Sequence, residues 1–176
     1  MKPIHVIPLG VGLDLVENLA ASLARTFHTP CRIRPKTLEI GFARDDGRGQ
    51  HHSTAILQRL DRIAEPGARL LAVTSADLYV PVLTFVFGEA QLEGLCAIVS
   101  TARLREEFYG LPPRDELLRE RLRKEATHEV GHTFGLRHCS DWSCVMASSH
   151  AVEVLDVKTA DFCRSCRKPI AEESYW

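Results

Sequence analysis

The spacing of apolar positions along the chain predicts five short strands. Apolar runs of four to eight residues lie at residues 3–10, 31–34, 69–74, 84–87 and 95–100. Runs of this length between polar segments are typical of strands buried in a sheet. The segments that join the last three runs are too short to hold helices. At least one of those three strands is therefore expected to be antiparallel to its neighbour.

Apolar residues at helical spacing predict four helices among and after these strands. The predicted helices occupy residues 13–27, 53–65, 114–134 and 151–160. Ser53 is the predicted N-cap of the second helix, because its hydroxyl can accept a hydrogen bond from a free N–H of the first turn. Residues 41–49 are rich in Asp and Gly and are predicted to be a loop.

The order of these elements predicts an α/β (α+β) fold with a twisted mixed sheet. Alternating strands and helices in the first part of the chain imply parallel strands joined by right-handed crossovers. The strand near residues 84–90 is expected to be the antiparallel member and to lie at an edge, where mixed sheets commonly carry such a strand.

Composition and charge exclude several function classes. The chain has 176 residues, 45% of them hydrophobic, and a net charge of −1 from 22 basic and 23 acidic side chains. This balance is typical of a globular domain and provides no field that would draw in nucleic acid or an anionic membrane. The N-terminal segment lacks the apolar core of a signal peptide. We therefore expect a cytoplasmic protein with reduced thiols.

The segment from His128 to His138 carries the pattern HExxHxxGxxH. His128 and His132 are four residues apart and so lie on one face of the predicted helix, where both can bind one zinc ion. Gly135 permits the positive φ that ends a helix, so His138 can return as a third ligand. Three histidines leave one coordination position open, which is typical of a catalytic zinc rather than a structural one.

Glu129 follows the first of these histidines and is the candidate general base. In an HExxH helix this carboxylate points toward the water that the zinc activates, and not at the metal itself. It would accept a proton from that water and pass the proton to the leaving amine.

Four of the six cysteines form a second candidate metal site. Cys139, Cys144, Cys163 and Cys166 have the spacing C-x4-C-x18-C-x2-C, which is typical of a structural zinc with four thiolate ligands. Cys139 directly follows His138, so a metal on this cluster would also fix the backbone of the third histidine. The chain after Gly135 has little apolar pattern, and we expect this metal to stabilise it.

The full pattern HExxHxxGxxHC-x4-C-x-M followed by CxxC resembles that of the archaemetzincins, a minimal family of metzincin zinc peptidases. The resemblance implies a metzincin-like fold with a backing helix, an active-site helix and Met146 in a Met-turn. It also implies a single catalytic domain of residues 1–176, with an N-terminal part (1–135) and a small zinc-stabilised C-terminal part (136–176). An extended peptide would pair with the edge strand at Phe87, Gly88, Glu89 and Ala90.

These features predict a zinc-dependent peptidase with two zinc ions per chain, one catalytic and one structural. We expect a monomer that acts on peptides or proteins. A catalytically silent two-zinc protein that binds a peptide or partner is the main alternative, and a redox protein that uses Cys163 and Cys166 is another. His150 could stabilise an oxyanion or could be a surface histidine, while Cys31 and Cys96 are expected to be buried, inert thiols.

Overall fold

A computed structural model describes residues 2–34 and 38–173, which form two sheets and five α-helices. The strands are β1 (Ile4–Leu9), β2 (Cys31–Ile33), β3 (Arg44–Asp45), β4 (Gln50–His52), β5 (Arg69–Thr74), β6 (Leu78–Tyr79), β7 (Gly88–Ala90) and β8 (Cys96–Ser100). The helices are α1 (Leu13–Phe27), α2 (Ser53–Asp61), α3 (Asp115–Thr133), α4 (Val152–Val157) and α5 (Arg164–Glu173).

The main sheet has the strand order β2-β1-β5-β8-β7. Strands β2, β1, β5 and β8 are parallel, whereas β7 pairs antiparallel with β8 and forms one edge. The predicted mixed sheet with an antiparallel edge strand is therefore confirmed. The edge strand begins only at Gly88, because the preceding segment turns away and makes a single bridge between Leu78 and Val86.

A second, three-stranded sheet was not predicted from the sequence. Strands β3 and β4 form a hairpin within and after the predicted loop 41–49, and β6 pairs parallel with β4. These strands are only two or three residues long. That is too short for the alternation of apolar and polar residues that marks a strand to be recognised in the sequence.

The predicted N-cap role of Ser53 is wrong. Helix α2 begins at Ser53, its N-cap residue is His52, and no side chain caps it. The Ser53 hydroxyl instead lies 3.1 Å from the carbonyl oxygen of Tyr79 and within hydrogen-bond distance of the Glu89 carboxylate, and it donates its single proton to one of these two acceptors at a time. Helix α5 was also missed, because its sequence is polar and contains Pro169.

Two apolar clusters cover the two faces of the main sheet. Helix α2 packs on one face with Ile56, Leu57 and Leu60, and α1 and α3 pack on the other. Each fully buried aliphatic side chain contributes about 1.5–3 kcal/mol to folding. The C-terminal part of the chain has a weak apolar pattern in its sequence, but it packs into the cluster that α1 and α3 form. Phe162 contacts Phe27 edge to face at 5.6 Å, and Ile170 is buried there.

Within the part of the chain that the structure describes, none of the helices combines the length and the apolar character that crossing a membrane requires.

Candidate metal centres and substrate cleft

The last turns of α3 bring the three histidines of the sequence motif together. Helix α3 ends at Thr133, and Gly135 follows with φ of 81°, which turns the chain so that His138 faces the helix. The ring centroids of His128, His132 and His138 lie 4.6 to 5.3 Å apart. Their ligand nitrogens lie within 4.8 Å of one another, so the group could hold one metal ion.

Hydrogen bonds to the backbone fix the tautomers of two of these histidines. Nδ1 of His128 lies 2.9 Å from the carbonyl of Val145, and Nδ1 of His132 lies 2.7 Å from that of Leu136. Because a carbonyl oxygen only accepts, each Nδ1 carries the proton and each Nε2 keeps a free lone pair. The two Nε2 atoms are 3.0 Å apart, an arrangement that a shared cation would stabilise.

Burial keeps these imidazoles neutral, as metal ligation requires. The pKa of His128 is lowered well below its usual value, mainly because burial disfavours the charged ring. The pKa of His132 is lowered for the same principal reason. The donor set, its tautomers and its protonation thus fit a zinc ion.

Glu129 is buried beside the histidines and under the edge strand. Burial raises the pKa of Glu129 well above its usual value, and the negative charges of Glu125 and Glu89 raise it further, while Lys158 opposes the shift. A Cβ at Gly88 would lie 2.7 Å from Cγ and Oε1 of Glu129. The glycine therefore allows the carboxylate to approach the edge strand.

Met146 lies fully buried beneath this group. A Cβ at Gly131 of α3 would lie 2.6 Å from the sulfur of Met146, so the two residues are in close contact. The carbonyl of Met146 accepts a hydrogen bond of 3.0 Å from the N–H of Cys139. The chain around Met146 thus contacts both candidate metal centres.

The four cysteines of the second pattern converge as expected, with their sulfur atoms within 4.8 Å of one another. Sγ of Cys139 lies 3.8 Å from that of Cys163, and the N–H of Cys163 donates to Sγ of Cys144. Hydrogen bonding lowers the pKa of the Cys163 thiol to about 7, and the largest contribution comes from the backbone of Cys166. Four convergent thiols favour a metal over the redox pair, which needs only two.

The side chains of the edge strand pack against the protein, whereas part of its backbone points away from β8. Phe87 is buried and packs on Phe85, and Glu89 turns its carboxylate to the hydroxyls of Ser53 and Thr54. The carbonyl of Phe87 and the N–H of Gln91 bond to β8. In an antiparallel ladder the intervening Gly88 and Ala90 therefore direct their backbone groups away from β8.

Two cavities meet at His128, Glu129 and His138, and His132 lines only the first of them. One, of about 390 Å³, is bounded by β7, Leu92 and Arg137. The other, of about 330 Å³, is bounded by residues 83–88, Glu125 and the segment Ser148 to His150, where His150 is exposed. Together they form a cleft along the edge strand, which we call the substrate cleft.

Buried ion pairs that the sequence did not reveal tie α3 to the chain after Met146. Lys158 donates to Oε1 of Glu125 at 3.2 Å and to the carbonyl of Ala147 at 3.0 Å. Arg121 bonds to both carboxylate oxygens of Asp156 and to Glu106. In the sequence, Glu106, Arg121 and Glu125 belong to a run of mixed charge at residues 103–125 that predicts only helix surface.

The two remaining cysteines lie outside both centres. Cys96 is fully buried in β8 and Cys31 is partly buried in β2, and burial raises the pKa of each thiol to about 12. Both thiols are therefore protonated at neutral pH; Cys96 is buried as expected from the sequence, whereas Cys31 is only partly buried.

Comparison with known proteins identifies the family. A model of peptidase family M54 matches residues 55–172. The archaemetzincin of Methanocaldococcus jannaschii is 42% identical over 174 residues, covering 98% of this chain and 95% of the relative. That of Archaeoglobus fulgidus is 40% identical over 167 residues, covering 95% and 98%.

Solved structures agree with this result. The crystal structure of the Archaeoglobus fulgidus archaemetzincin, complexed with malonate, superposes with a TM-score of 0.83 at 39% identity, covering 95% of this chain and 99% of that one. A zinc-dependent peptidase from Methanocorpusculum labreanum superposes with a TM-score of 0.86 at 30% identity and the same coverage. The chain is therefore a member of peptidase family M54, the archaemetzincin family of zinc metallopeptidases.

Proposed function

We propose that this chain hydrolyses peptide bonds, with a zinc ion on His128, His132 and His138 and with Glu129 as the general base. The observation that carries the proposal is the pair of free Nε2 lone pairs, 3.0 Å apart, beside a buried carboxylate in an open cleft. Zinc bound there would supply Lewis-acid chemistry, polarising a carbonyl and making water more acidic.

Glu129 moves the proton in this proposal. Its carboxylate accepts a proton from the attacking water and delivers it to the nitrogen of the leaving amine. The raised pKa of Glu129 suits this role, since a base whose pKa lies nearer to neutral can both take up and release the proton. Gly88 holds the edge strand against the carboxylate and so shields it from bulk water.

The peptide would lie along the edge strand. Backbone groups of Gly88 and Ala90 that do not bond to β8 are free to pair with an extended chain. An antiparallel substrate places its N-terminal side in the cavity of Ala90 and Leu92, and its C-terminal side in the cavity of His150.

We infer a second zinc on Cys139, Cys144, Cys163 and Cys166, which gives two zinc ions per chain. Their converging sulfurs support this, and Met146 lies between the two centres as a Met-turn residue would. Residues 1–176 would then act as one catalytic domain. That the protein is a cytoplasmic monomer remains a prediction, which sedimentation and cell fractionation can check.

Replacing Glu129 by alanine tests the proposal. The Glu129→Ala protein should keep its zinc but lose at least about 100-fold of its peptidase activity, because general acid–base catalysis supplies 10²–10⁴-fold. Glu116→Ala, at an exposed position in the first turn of the same helix, serves as control and should leave the rate unchanged.

A digest of a peptide library with zinc-loaded protein distinguishes the proposal from the silent, peptide-binding alternative. Cleavage by the wild-type protein that a chelator abolishes supports the peptidase. Peptide binding without any chelator-sensitive cleavage across the library would favour the binding protein instead.

A further inference from the structure

Residues 80–87, between β6 and β7, form one wall of the substrate cleft, and we call them the wall segment. Its part from Leu83 to Phe87 lines the cavity that also contains His150. The segment is apolar, but its outer positions lie in solvent, with Val82 88% and Leu83 52% exposed. Only Phe87 is buried. A segment that buries so little apolar surface needs polar contacts to keep one conformation.

An arginine of the second sheet holds the wall segment by its backbone. Arg48 lies in the turn between β3 and β4, and its Nη2 donates to the carbonyls of Leu83 at 2.8 Å and Thr84 at 3.0 Å. Its Nε donates to Oε1 of Gln50 at 2.9 Å, and the guanidinium lies 4.2 Å from the ring centre of Tyr79. Although Arg48 is exposed, these contacts fix its side chain.

Gln50 extends this network to the aromatic part of the wall segment. Its buried Nε2 donates to the carbonyl of Thr84 at 3.0 Å and to Oδ2 of Asp77 at 2.9 Å. The Asp77 carboxylate accepts two further bonds of 2.8 Å from Arg103. The guanidinium of Arg103 lies 4.2 Å from the ring centre of Phe85, which lines the cavity. The second sheet thus supports the wall at several points.

The wall segment lies where the C-terminal side of the substrate is expected. Strand β7 begins directly after it, and an antiparallel peptide on β7 would pass Gly88 and continue toward the cavity of the wall segment. Among the described residues that line the two cavities, Arg48 is not found. Its effect on a peptide would therefore pass through the wall segment.

We propose that Arg48 is a positioning residue that holds the wall segment in the conformation that binds the C-terminal side of the substrate. Without Arg48, the carbonyls of Leu83 and Thr84 lose their charged donor, and a peptide would have to order the wall as it binds. Glu129 and the three histidines lie on other elements, so the cleavage step should not change. This inference rests on the proposed function, because it assumes that a peptide lies along β7.

Hydrogen exchange tests the hold on the wall segment without any peptide. The N–H of Leu83 bonds to the carbonyl of Val80, and the N–H of Val86 bonds to that of Leu78, both at 3.0 Å. Arg48→Ala should speed the exchange of these two amides at least about tenfold and leave the amides of β5 unchanged. Arg44→Ala, which removes an exposed arginine of the same hairpin bonded to Asp46, serves as the control. Unchanged exchange in Arg48→Ala would overturn the proposal.

Peptide binding tests the effect on the substrate. A peptide with acetylated and amidated ends that binds the zinc-loaded Glu129→Ala protein is shortened from either end, so neither turnover nor a terminal charge affects the result. Adding Arg48→Ala should weaken binding of the full-length peptide about tenfold. This difference should vanish on shortening from the C-terminus and persist on shortening from the N-terminus. Arg48→Lys keeps a charged donor and should restore part of the affinity.

Equal weakening at every peptide length would show that Arg48 supports only the fold in general, and the proposal would be wrong. Kinetics provide a further check, since Arg48→Ala should raise KM about tenfold and leave kcat within about twofold for a peptide with several residues after the cleaved bond. A lower kcat with unchanged KM would contradict the proposal. If the wild type cleaves no peptide, the peptidase function is wrong, while exchange and binding still decide the role of Arg48.

Discussion

Two glycines allow close packing around the three histidines and Glu129. Gly131 is in close contact with the sulfur of Met146, and Gly88 lies against Glu129 and the carbonyl of Ile98. Neither has the positive φ that would require glycine for the backbone. Both positions therefore need glycine for space, and a single added methyl group is expected to disturb the site.

Gly131→Ala tests this packing. Alanine favours a helix over glycine by about 1 kcal/mol, but the new Cβ would lie 2.6 Å from the buried sulfur of Met146. Overpacking of this kind costs about 1–3 kcal/mol, so we expect a lower urea midpoint than in the wild type. Gly41→Ala, whose Cβ would meet no atom within 4 Å, serves as the control. A Gly131→Ala protein of unchanged stability would contradict the close contact.

The buried charge of Glu129 makes a pH-dependent contribution to stability. Its pKa is raised by folding, so the cost of burying the ionised form is fully present above the folded-state pKa. That cost disappears as the pH falls toward the unfolded-state value. Glu129→Gln removes the charge and should therefore stabilise the metal-free protein more at pH 8 than at pH 5.

Thermal unfolding of chelator-treated protein at the two pH values measures this difference. Glu116→Gln, which changes an exposed acid on the same helix, should show an equal effect at both pH values. If Glu129→Gln has the same effect at pH 5 as at pH 8, the carboxylate does not carry a raised pKa in the folded state.

At the scale of elements, α3 is held by charges as well as by its apolar face. Its buried residues include Arg121, Lys124 and Glu125. Lys124 donates to the carbonyls of Leu155 and Asp156, which both lie in the last turn of α4. These contacts join α3 to the chain beyond Met146, so the three histidines and Glu129 lie on a rigid support.

Arg121→Ala should destabilise the protein by about 3–5 kcal/mol, because it leaves the carboxylates of Asp156 and Glu106 without their partner. The neighbouring Arg123 pairs with Glu120 on the solvent side, and Arg123→Ala should cost less than about 1 kcal/mol. Chemical denaturation of both variants provides the comparison. Similar losses for the two arginines would show that burial does not govern the strength of these pairs.

At the scale of the whole molecule, the two candidate metal centres are mechanically linked. Cys139 follows His138 in the chain and bonds to the carbonyl of Met146. One residue earlier, the carbonyl of Val145 orients the ring of His128. Loosening the cysteine cluster should therefore loosen two of the three histidines.

Cys163→Ser is expected to reduce the bound zinc by one ion per chain and to lower the melting temperature, because a structural metal contributes directly to folding. It should also weaken zinc binding at the histidines by about 10–100-fold, as loss of a supporting contact does. Cys31→Ser, outside both centres, serves as the control. Metal analysis and chelator titration measure both effects, and unchanged affinity at the histidines would show that the centres are independent.

Much of the fold followed from local pattern. The limits of α1 and β5 agree with the predicted 13–27 and 69–74, because both elements carry apolar residues at regular spacing. Local pattern did not predict the short strands β3, β4 and β6 or the polar helix α5. Their positions depend on contacts with distant segments, such as the bonds from Arg48 to the carbonyls of Leu83 and Thr84.

The sequence by itself determined the two groups of candidate metal ligands, because the spacing of histidines and cysteines on a helix and its following turn restricts where their donor atoms can lie. Tertiary structure decided the rest: the free Nε2 lone pairs of His128 and His132 and the buried ion pair of Lys158 with Glu125. Those properties arise from burial and from partners far away in the chain. Local spacing carries no information about either, since the dielectric surroundings of a side chain are set only when distant segments pack around it.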